Sequence, residues 1–449
     1  MARLLPLTRA HQAAASSPHA NPAMHQKTLG LALGLLLPLG IVAPGFSQAT
    51  PPPSAATASP LPASLSAALP AFVPPDAEFQ KDAQWLQTYT AGLVNTNRAT
   101  YQDGRTVFYC DAEKHYGLMF TRDFGYFVEF AGDLMSPKET SGYLEFLLAG
   151  QRADGCIPDR ITVAGKPIYS PGPPQAPMAD HALDNASFLV SAVCRYVERT
   201  GDLDFLRRHE SALRRGLDQI NRAENGLVYN RPENPQCVYG YTDTVRKTGH
   251  LLMDSALYYE ACSQMAGLCR KAGIGEPDEY LRRAELIKKN IGRLWDRDSG
   301  AFYAADGLCR QYDVWGTAFM IDRNLATKEQ EQKALHFLVS NYDCYAQKGQ
   351  IRHLLAYSSW QSTFNYRQEG VYQNGGYWAT PLGWLVPAIA RRDPALAQRI
   401  LRECLADFRA RGIHEWINGG ITVLPDFFNS AISVYSLLPK AKPPLKPSP

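Results

Sequence analysis

The chain has 449 residues, 45% hydrophobic and 20% charged, and its 46 Lys+Arg against 43 Asp+Glu leave a net charge of +3. That near-balance excludes the basic excess of a dedicated nucleic-acid binder and the acidic bias of a solvating tail, and the apolar share is ample for a globular core. The three surplus cations, Arg3, Arg9 and Lys27, all precede the first acid at Asp76, so the body beyond it is neutral.

From Met24 the sequence reads MHQKTLGLALGLLLPLGIVAPGFSQA. Lys27 supplies a positive start, residues 29–42 an apolar run, and Ser47-Gln48-Ala49 a small-x-small cleavage site. Residues 1–49 therefore read as a Sec-type signal peptide, with Met24 as an alternative initiator and a periplasmic or secreted destination. Two prolines and four glycines fall within residues 29–46, and the apolar run falls short of the ~20 residues of a span, so no stable membrane span is expected after cleavage. Residues 50–75 are rich in Pro, Ala and Ser and lack charge, the composition of a disordered linker. A helical body over 76–440 and a Pro/Lys-rich tail over 441–449 complete the chain.

Within the body, apolar residues recur at helical spacing over 185–199, 251–266 and 280–295. Thr200-Gly201-Asp202 and Lys271-Ala272-Gly273 stop two of these helices. No sustained period-two pattern and no glycine-rich strand-to-helix turn appears, which disfavours Rossmann and P-loop enzymes. Nine cysteines show no CxxC or Cys/His metal spacing, and Cys262 and Cys269 lie two helical turns apart, too far to bridge. Most are expected to be buried thiols, with one or two disulfides at most.

Polar-aromatic clusters precede the apolar helices: FTRDFGYF around Asp123, HALDNASF around Asp184, GYTDTVRKTG around Asp243, QYDVWGTAF around Asp313, YQNGGYW around Gln373 and GIHEWINGG around Glu415. Most recur at about 60 residues, the length of a helical hairpin with its loops. The fold class predicted is all-α: an (α/α)6 toroid of about six helical hairpins, in which every inner-helix start meets on one rim. A carboxylate at a loop-to-helix junction is ordinarily a cap or a solvated charge. Several of them converging on one cleft would also furnish the carboxylate pair that glycosidic hydrolysis requires, one protonating the departing oxygen and one activating water. Tyr116, Phe124, Tyr241, Trp315, Trp360, Trp378 and Trp416 suit either sugar faces or a core. His250, His353 and His414 keep a histidine-based sugar epimerase open. No GxSxG elbow or HExxH helix is present.

FTRDFGYF, HALDNASFLV, YTDTVRKTG, YQNGGYW and HEWINGG together resemble the six-hairpin glycosidases, the (α/α)6 superfamily of inverting glycoside hydrolases that includes neutral invertases, trehalases, processing glucosidases and exo-α-mannosidases. The resemblance spans 121–420. It implies Asp243 as general acid and Glu415 as general base. It also implies Arg122 and Asp123 as the pair gripping sugar hydroxyls, Asp184 as a second aspartate in the pocket, and Gln373, Asn374 and Trp378 on a pocket-lining turn. Trp315, Trp360 and Trp416 are the candidate stacking residues. The expected protein is an exported, inverting, exo-acting hydrolase of an α-linked carbohydrate, with no metal or organic cofactor and no nucleic-acid partner; the sequence sets no oligomeric state. A sugar epimerase, a polysaccharide lyase and a non-catalytic glycan-binding protein are the alternative readings.

Overall fold

The computed structural model describes residues 72–74, 76–173, 175–364 and 368–439. The leader, nearly all of the linker and the tail lie outside the described residues. In chain order the helices are α1 (Ala77–Asn97), α2 (Thr121–Ala131), α3 (Pro137–Ala149), α4 (Asn185–Thr200), α5 (Leu203–Gln219), α6 (Leu252–Ala272) and α7 (Pro277–Asn290). There follow α8 (Val314–Asp322), α9 (Lys328–Ser340), the single turn α10 (Tyr342–Tyr345), α11 (Leu382–Ala390), α12 (Pro394–Arg411) and α13 (Phe428–Tyr435).

Burial sorts them into two rings. Every residue of α8 and α13 is buried, as are all but Glu129 of α2, and a helix apolar on all sides must be enclosed on all sides. The outer helices bury one stripe: α5 covers Phe205, Leu206, Leu213, Gly216 and Leu217 and leaves its arginines in water. Inner helices pack in the order α2, α4, α6, α8, α11, α13, and α13 returns to α2. Outer α3, α5, α7, α9 and α12 each follow an inner helix. The sixth outer place is taken by α1, which packs on α13 and α12. The toroid is confirmed, with one difference from the expectation of successive hairpins: its sixth hairpin joins the first described helix to the last.

Local signals set the boundaries. A capping box of Ser136 and Glu139, with Pro137 in the first turn, opens α3, and Thr327 with Gln330 does the same for α9. Gly201 (φ 75°) and Gly273 (φ 66°) end α4 and α6 in the left-handed conformation that glycine adopts without strain. All nine cysteines are free thiols.

The strands that sequence periodicity misses are short. Among the described residues they form five two-stranded antiparallel ribbons: β1–β2 (Arg98–Thr100, Thr106–Phe108), β3–β4 (Arg160–Ile161, Pro167–Ile168) and β5–β6 (Tyr229–Asn230, Gly249–His250). The last two are β7–β8 (Ala346–Gln347, Gln350–Ile351) and β9–β10 (His414–Asn418, Ile421–Pro425). Glu415 therefore sits on the strand of a hairpin and not in an irregular loop. Among the described residues no helix is long and apolar enough to cross a membrane.

Eight to ten residues in from four inner-helix starts, about 12–15 Å along the axis, the charges alternate. Glu129 of α2 pairs with Arg195 of α4 (3.1 Å) and Arg195 with Glu260 of α6 (2.6 Å). Arg323, at the end of α8, meets Glu260 (3.4 Å) and closes the circuit on Glu129. Burial would raise the Glu129 carboxyl, but Arg195 and Arg323 hold it below its ordinary range. Replacing one member leaves its buried partners uncompensated. Arg323→Leu is expected to cost ~3–5 kcal/mol, read as a lowered midpoint in urea unfolding.

Candidate active site

The motif residues of the sequence meet at the rim where the inner helices begin. The first turn of α2 brings Arg122 and Asp123 there. Asp184 stands at the start of α4 but makes no capping bond. Its carboxylate accepts from Arg122 Nε (3.1 Å) and from the Gly240 amide (2.8 Å). Arg122 also donates to Asp159 and to Asn185 Oδ1 (3.2 Å), and Arg160 donates to the other Asp159 oxygen (2.9 Å). Gly240 is required at this junction, because a Cβ there would lie 1.7 Å from Arg122 Nε. At the start of α8 the ordinary reading holds instead: Asp313 caps the helix through Gly316 N (3.1 Å).

A cavity of about 630 Å³ opens above this junction, lined by Arg122, Asp123, Tyr241, Asp243, Glu415 and Trp416 together with Tyr116, Phe120, Arg160, Met178, Tyr372 and Phe427. Asp243 comes from the turn before α6 and Glu415 from β9, so carboxyls 172 positions apart in the sequence share one cavity. Asp123 accepts from Asn429 Nδ2 (2.7 Å) and the Tyr241 hydroxyl (3.2 Å). Asp243 accepts from Gln373 Nε2 (2.6 Å), and Glu415 from the Tyr116 hydroxyl (2.9 Å). A second concavity of about 820 Å³ runs along α12, but none of the motif carboxylates enters it, and most of its charges are paired, Arg399 with Glu403 and Asp343 and Arg411 with Asp407.

Burial dominates the electrostatics. It pushes Asp243 up to about 6 against the opposing effects of Arg122 and Gln373. It pushes Asp123 up to about 7 despite Arg122. It pushes Glu415 up to about 8, with Tyr116 opposing and the charges of Asp123 and Asp243 adding to the rise. Desolvation disfavours the charged form, and neighbouring carboxylates act in the same direction. Near neutrality the three carboxyls therefore hold protons among them.

Of the residues singled out by sequence, Arg122, Asp123, Asp243, Glu415 and Trp416 line the cavity, while Asp184, Gln373, Asn374, Trp315, Trp360 and Trp378 stand behind its wall. Trp315 stacks on His353 with centroids 3.7 Å apart. Trp360 donates from Nε1 to the Gln373 carbonyl (2.8 Å) and from its amide to Asn374 Oδ1 (2.8 Å). Trp378 is fully buried. The histidines of an epimerase do not converge: His353 bonds the Tyr241 carbonyl from behind, and His250 is paired with Asp306. Tyr372, Arg160, His115 and Met178 line the cavity without having been singled out. Tyr372 could have been found, since it opens the YQNGGYW motif; Arg160 and Met178 lie in loops without a pattern.

Among solved structures the chain is similar to a rhamnosidase from Klebsiella oxytoca with rhamnose bound, at 14% identity and a TM-score of 0.57, over 83% of this chain and 65% of that one. It is similar to the GH63 mannosylglycerate hydrolase from Thermus thermophilus in complex with glucose, at 14% identity and a TM-score of 0.57, over 78% of this chain and 99% of that one. A GH78 family rhamnosidase of Bacillus sp. GL1 matches at 14% identity and a TM-score of 0.51, over 79% of this chain and 34% of that one. The chain thus spans just under two thirds of the first, a third of the last and nearly all of the second. No protein-family model matches the sequence, and no curated protein matches it. At these identities the likeness is one of fold: the chain is an (α/α)6 toroid of the six-hairpin type that these glycoside hydrolases share.

The raised Glu415 carboxyl has a consequence for stability. Between its ordinary 4.5 and about 8 the folded chain keeps a proton that the unfolded chain has released, so stability falls as pH rises through that window. Glu415→Gln removes this penalty. Its melting temperature should gain on wild type from pH 5 to pH 8, by the equivalent of ~3 kcal/mol, as measured by calorimetry at both pH values.

Proposed function

We propose that the protein is an exported, exo-acting glycoside hydrolase that inverts the anomeric configuration of an α-linked, uncharged sugar. The observation that carries this reading is the meeting of Asp243 and Glu415 in one cavity with Arg122 and Asp123. Asp243 is the general acid, giving its proton to the glycosidic oxygen as the bond breaks. Glu415 is the general base, taking a proton from the water that attacks the opposite face of the sugar. Arg122 is kept charged by Asp159 and Asp184 and, with Asp123, grips the hydroxyls of the cleaved unit. The rim entrance and the charge circuit across the axis favour a pocket over a through-channel, hence attack from a chain end. The fold shared with glycoside hydrolases supports the class of reaction, and the leader over 1–49 supports export.

Glu415 holds its proton more tightly than Asp243 does. The productive form carries the proton on Asp243, so the two carboxyls titrate as a pair and the limbs of the pH profile belong to the pair. Activity should be bell-shaped, with limbs near about 6 and about 8, as kcat/KM against pH will show.

A panel of aryl α-glycosides and free α-linked oligosaccharides tests the reaction, with NMR of the first product formed. Inversion predicts the β-anomer; an α-anomer overturns the mechanism, and no release from any substrate overturns the hydrolase. A dinitrophenyl leaving group departs without protonation. Asp243→Asn should therefore keep most turnover on such a glycoside and lose about a thousandfold on unactivated ones, whereas Glu415→Gln should lose both. The opposite pattern would exchange the roles of the two carboxyls.

A further inference from the structure

Among the described residues Asp243 and Glu415 each take one side-chain donor, from Gln373 and Tyr116, whereas Asp123 takes two. Both go to the same oxygen. Asn429 Nδ2 donates to Asp123 Oδ1 (2.7 Å), and the Tyr241 hydroxyl donates to it as well (3.2 Å). The second N–H of Asn429 goes to the Tyr241 oxygen. The triangle leaves neither Asn429 Nδ2 nor the Tyr241 hydroxyl a hydrogen to offer a ligand. It takes one residue from each of three places: Asp123 from the first turn of α2, Tyr241 from the turn before α6, and Asn429 from the first turn of α13.

Packing alone does not account for an asparagine there. Every residue of α13 is buried, and Asn429 is 1% exposed. A buried polar group costs free energy where it finds no partner, and among the described residues Asn429 Oδ1 has none. An apolar side chain would avoid that cost, so what the asparagine contributes is its two N–H groups and their aim. Asp123, 7% exposed, lines the cavity. With Oδ1 taken twice, Oδ2 is the oxygen left for a ligand.

We infer that Asn429 is a positioning residue for sugar recognition: together with Tyr241 it pins Asp123 Oδ1 and so presents Oδ2 to one hydroxyl of the cleaved unit. This rests on the reading of Asp123 as a residue that grips a sugar hydroxyl. A carboxyl held at one oxygen cannot turn about its Cβ–Cγ bond, so the lone pairs of the other oxygen keep one direction. An acceptor with a fixed direction discriminates against a sugar that lacks the matching hydroxyl or carries it in the other configuration. Burial pushes Asp123 up to about 7, and donors to its oxygen oppose that rise. Besides Tyr241, the titratable and charged groups facing Asp123 are Arg122, Asp159, Glu415, the Cys110 thiol and the Tyr143 hydroxyl. None of them belongs to α13, so a change at position 429 leaves them in place.

The test uses the full chain, with Asn429→Leu, Asn429→Ala and Asp123→Ala compared with wild type by two measurements. The first is titration of the carboxyl carbons by 13C NMR in the absence of substrate. Both Asn429 variants should raise the midpoint of Asp123 and leave that of Asp243 in place. The second is kcat/KM on the aryl α-glycoside that wild type cleaves fastest and on its monodeoxy analogues. Asp123→Ala should cost least on the analogue that lacks the hydroxyl Asp123 grips. Asn429→Leu should lose about tenfold on the parent glycoside and less than about twofold on that same analogue. An equal loss on the parent and on every analogue would show that Asn429 acts only through the fold and would overturn the inference, as would an Asp123 midpoint that stays put. A loss from Asp123→Ala that is alike on all analogues overturns it too, by removing the gripped hydroxyl. Asn429→Ala carries the test if α13 does not accept the bulkier leucine. If wild type cleaves no glycoside, the functional reading falls, while the titration still decides whether Asn429 holds Asp123.

Discussion

The site depends on how the positive charge of Arg122 is neutralised. A guanidinium buried at the head of α2 needs anions around it, and Asp159 and Asp184 supply them. That pairing draws together the start of α2, the loop carrying Asp159, the start of α4 and the Gly240 turn. It also offsets much of the local positive charge, so Arg122 lowers the neighbouring carboxyls less than burial raises them. Asp123, Asp243 and Glu415 are left in a buried cavity with hydrogen-bond donors but little counter-charge, so burial drives their carboxyls into the neutral range. Carboxyls that exchange protons near neutrality are thus a product of the same arrangement that anchors the rim.

Much of the fold was legible in sequence because an inner helix of a toroid has no exposed side. VWGTAFM reads as a largely apolar run within a polar-aromatic cluster, and such clusters recur at hairpin length, whereas FNSAISVY, with its Asn and two Ser, gives no such signal. The sixth hairpin was not legible. Its helices are α1 and α13, and no local period connects segments so distant. Nor was the ribbon under Glu415, since HEWIN and ITVLP are too short for alternation to stand out.

At the cavity, the motifs mark segments that line it and mix two kinds of residue within them. YQNGGYW contains Tyr372 on the cavity wall, Gln373 clamped behind it and Trp378 in the core. Motif spacing cannot separate these, because which side of a turn faces the cavity depends on backbone angles such as the left-handed φ of Tyr372. The tryptophans expected to stack on sugar illustrate this. Trp416 on β9 reaches the cavity, whereas Trp315 packs on His353 and Trp360 reaches the backbone of the turn. Sequence places an aromatic near a site; packing decides whether the ring or its hydrogen-bonding edge is what the site uses.

Closure through α1 and α13 has a kinetic meaning. The Gln87 side chain of α1 bonds the Pro439 carbonyl just beyond α13, across 352 positions of sequence. Contacts of such separation form late, because the loop entropy must be met before the contact rewards it. Five hairpins can form as the chain emerges, but the ring stays open until α13 arrives. Glu415 lies thirteen residues before α13 and Asn429, which bonds Asp123, lies within it. A partly made chain therefore carries Asp243, Arg122 and much of the cavity wall without Glu415 or the Asn429 contact to Asp123, and the cavity is complete only when synthesis has passed the last inner helix.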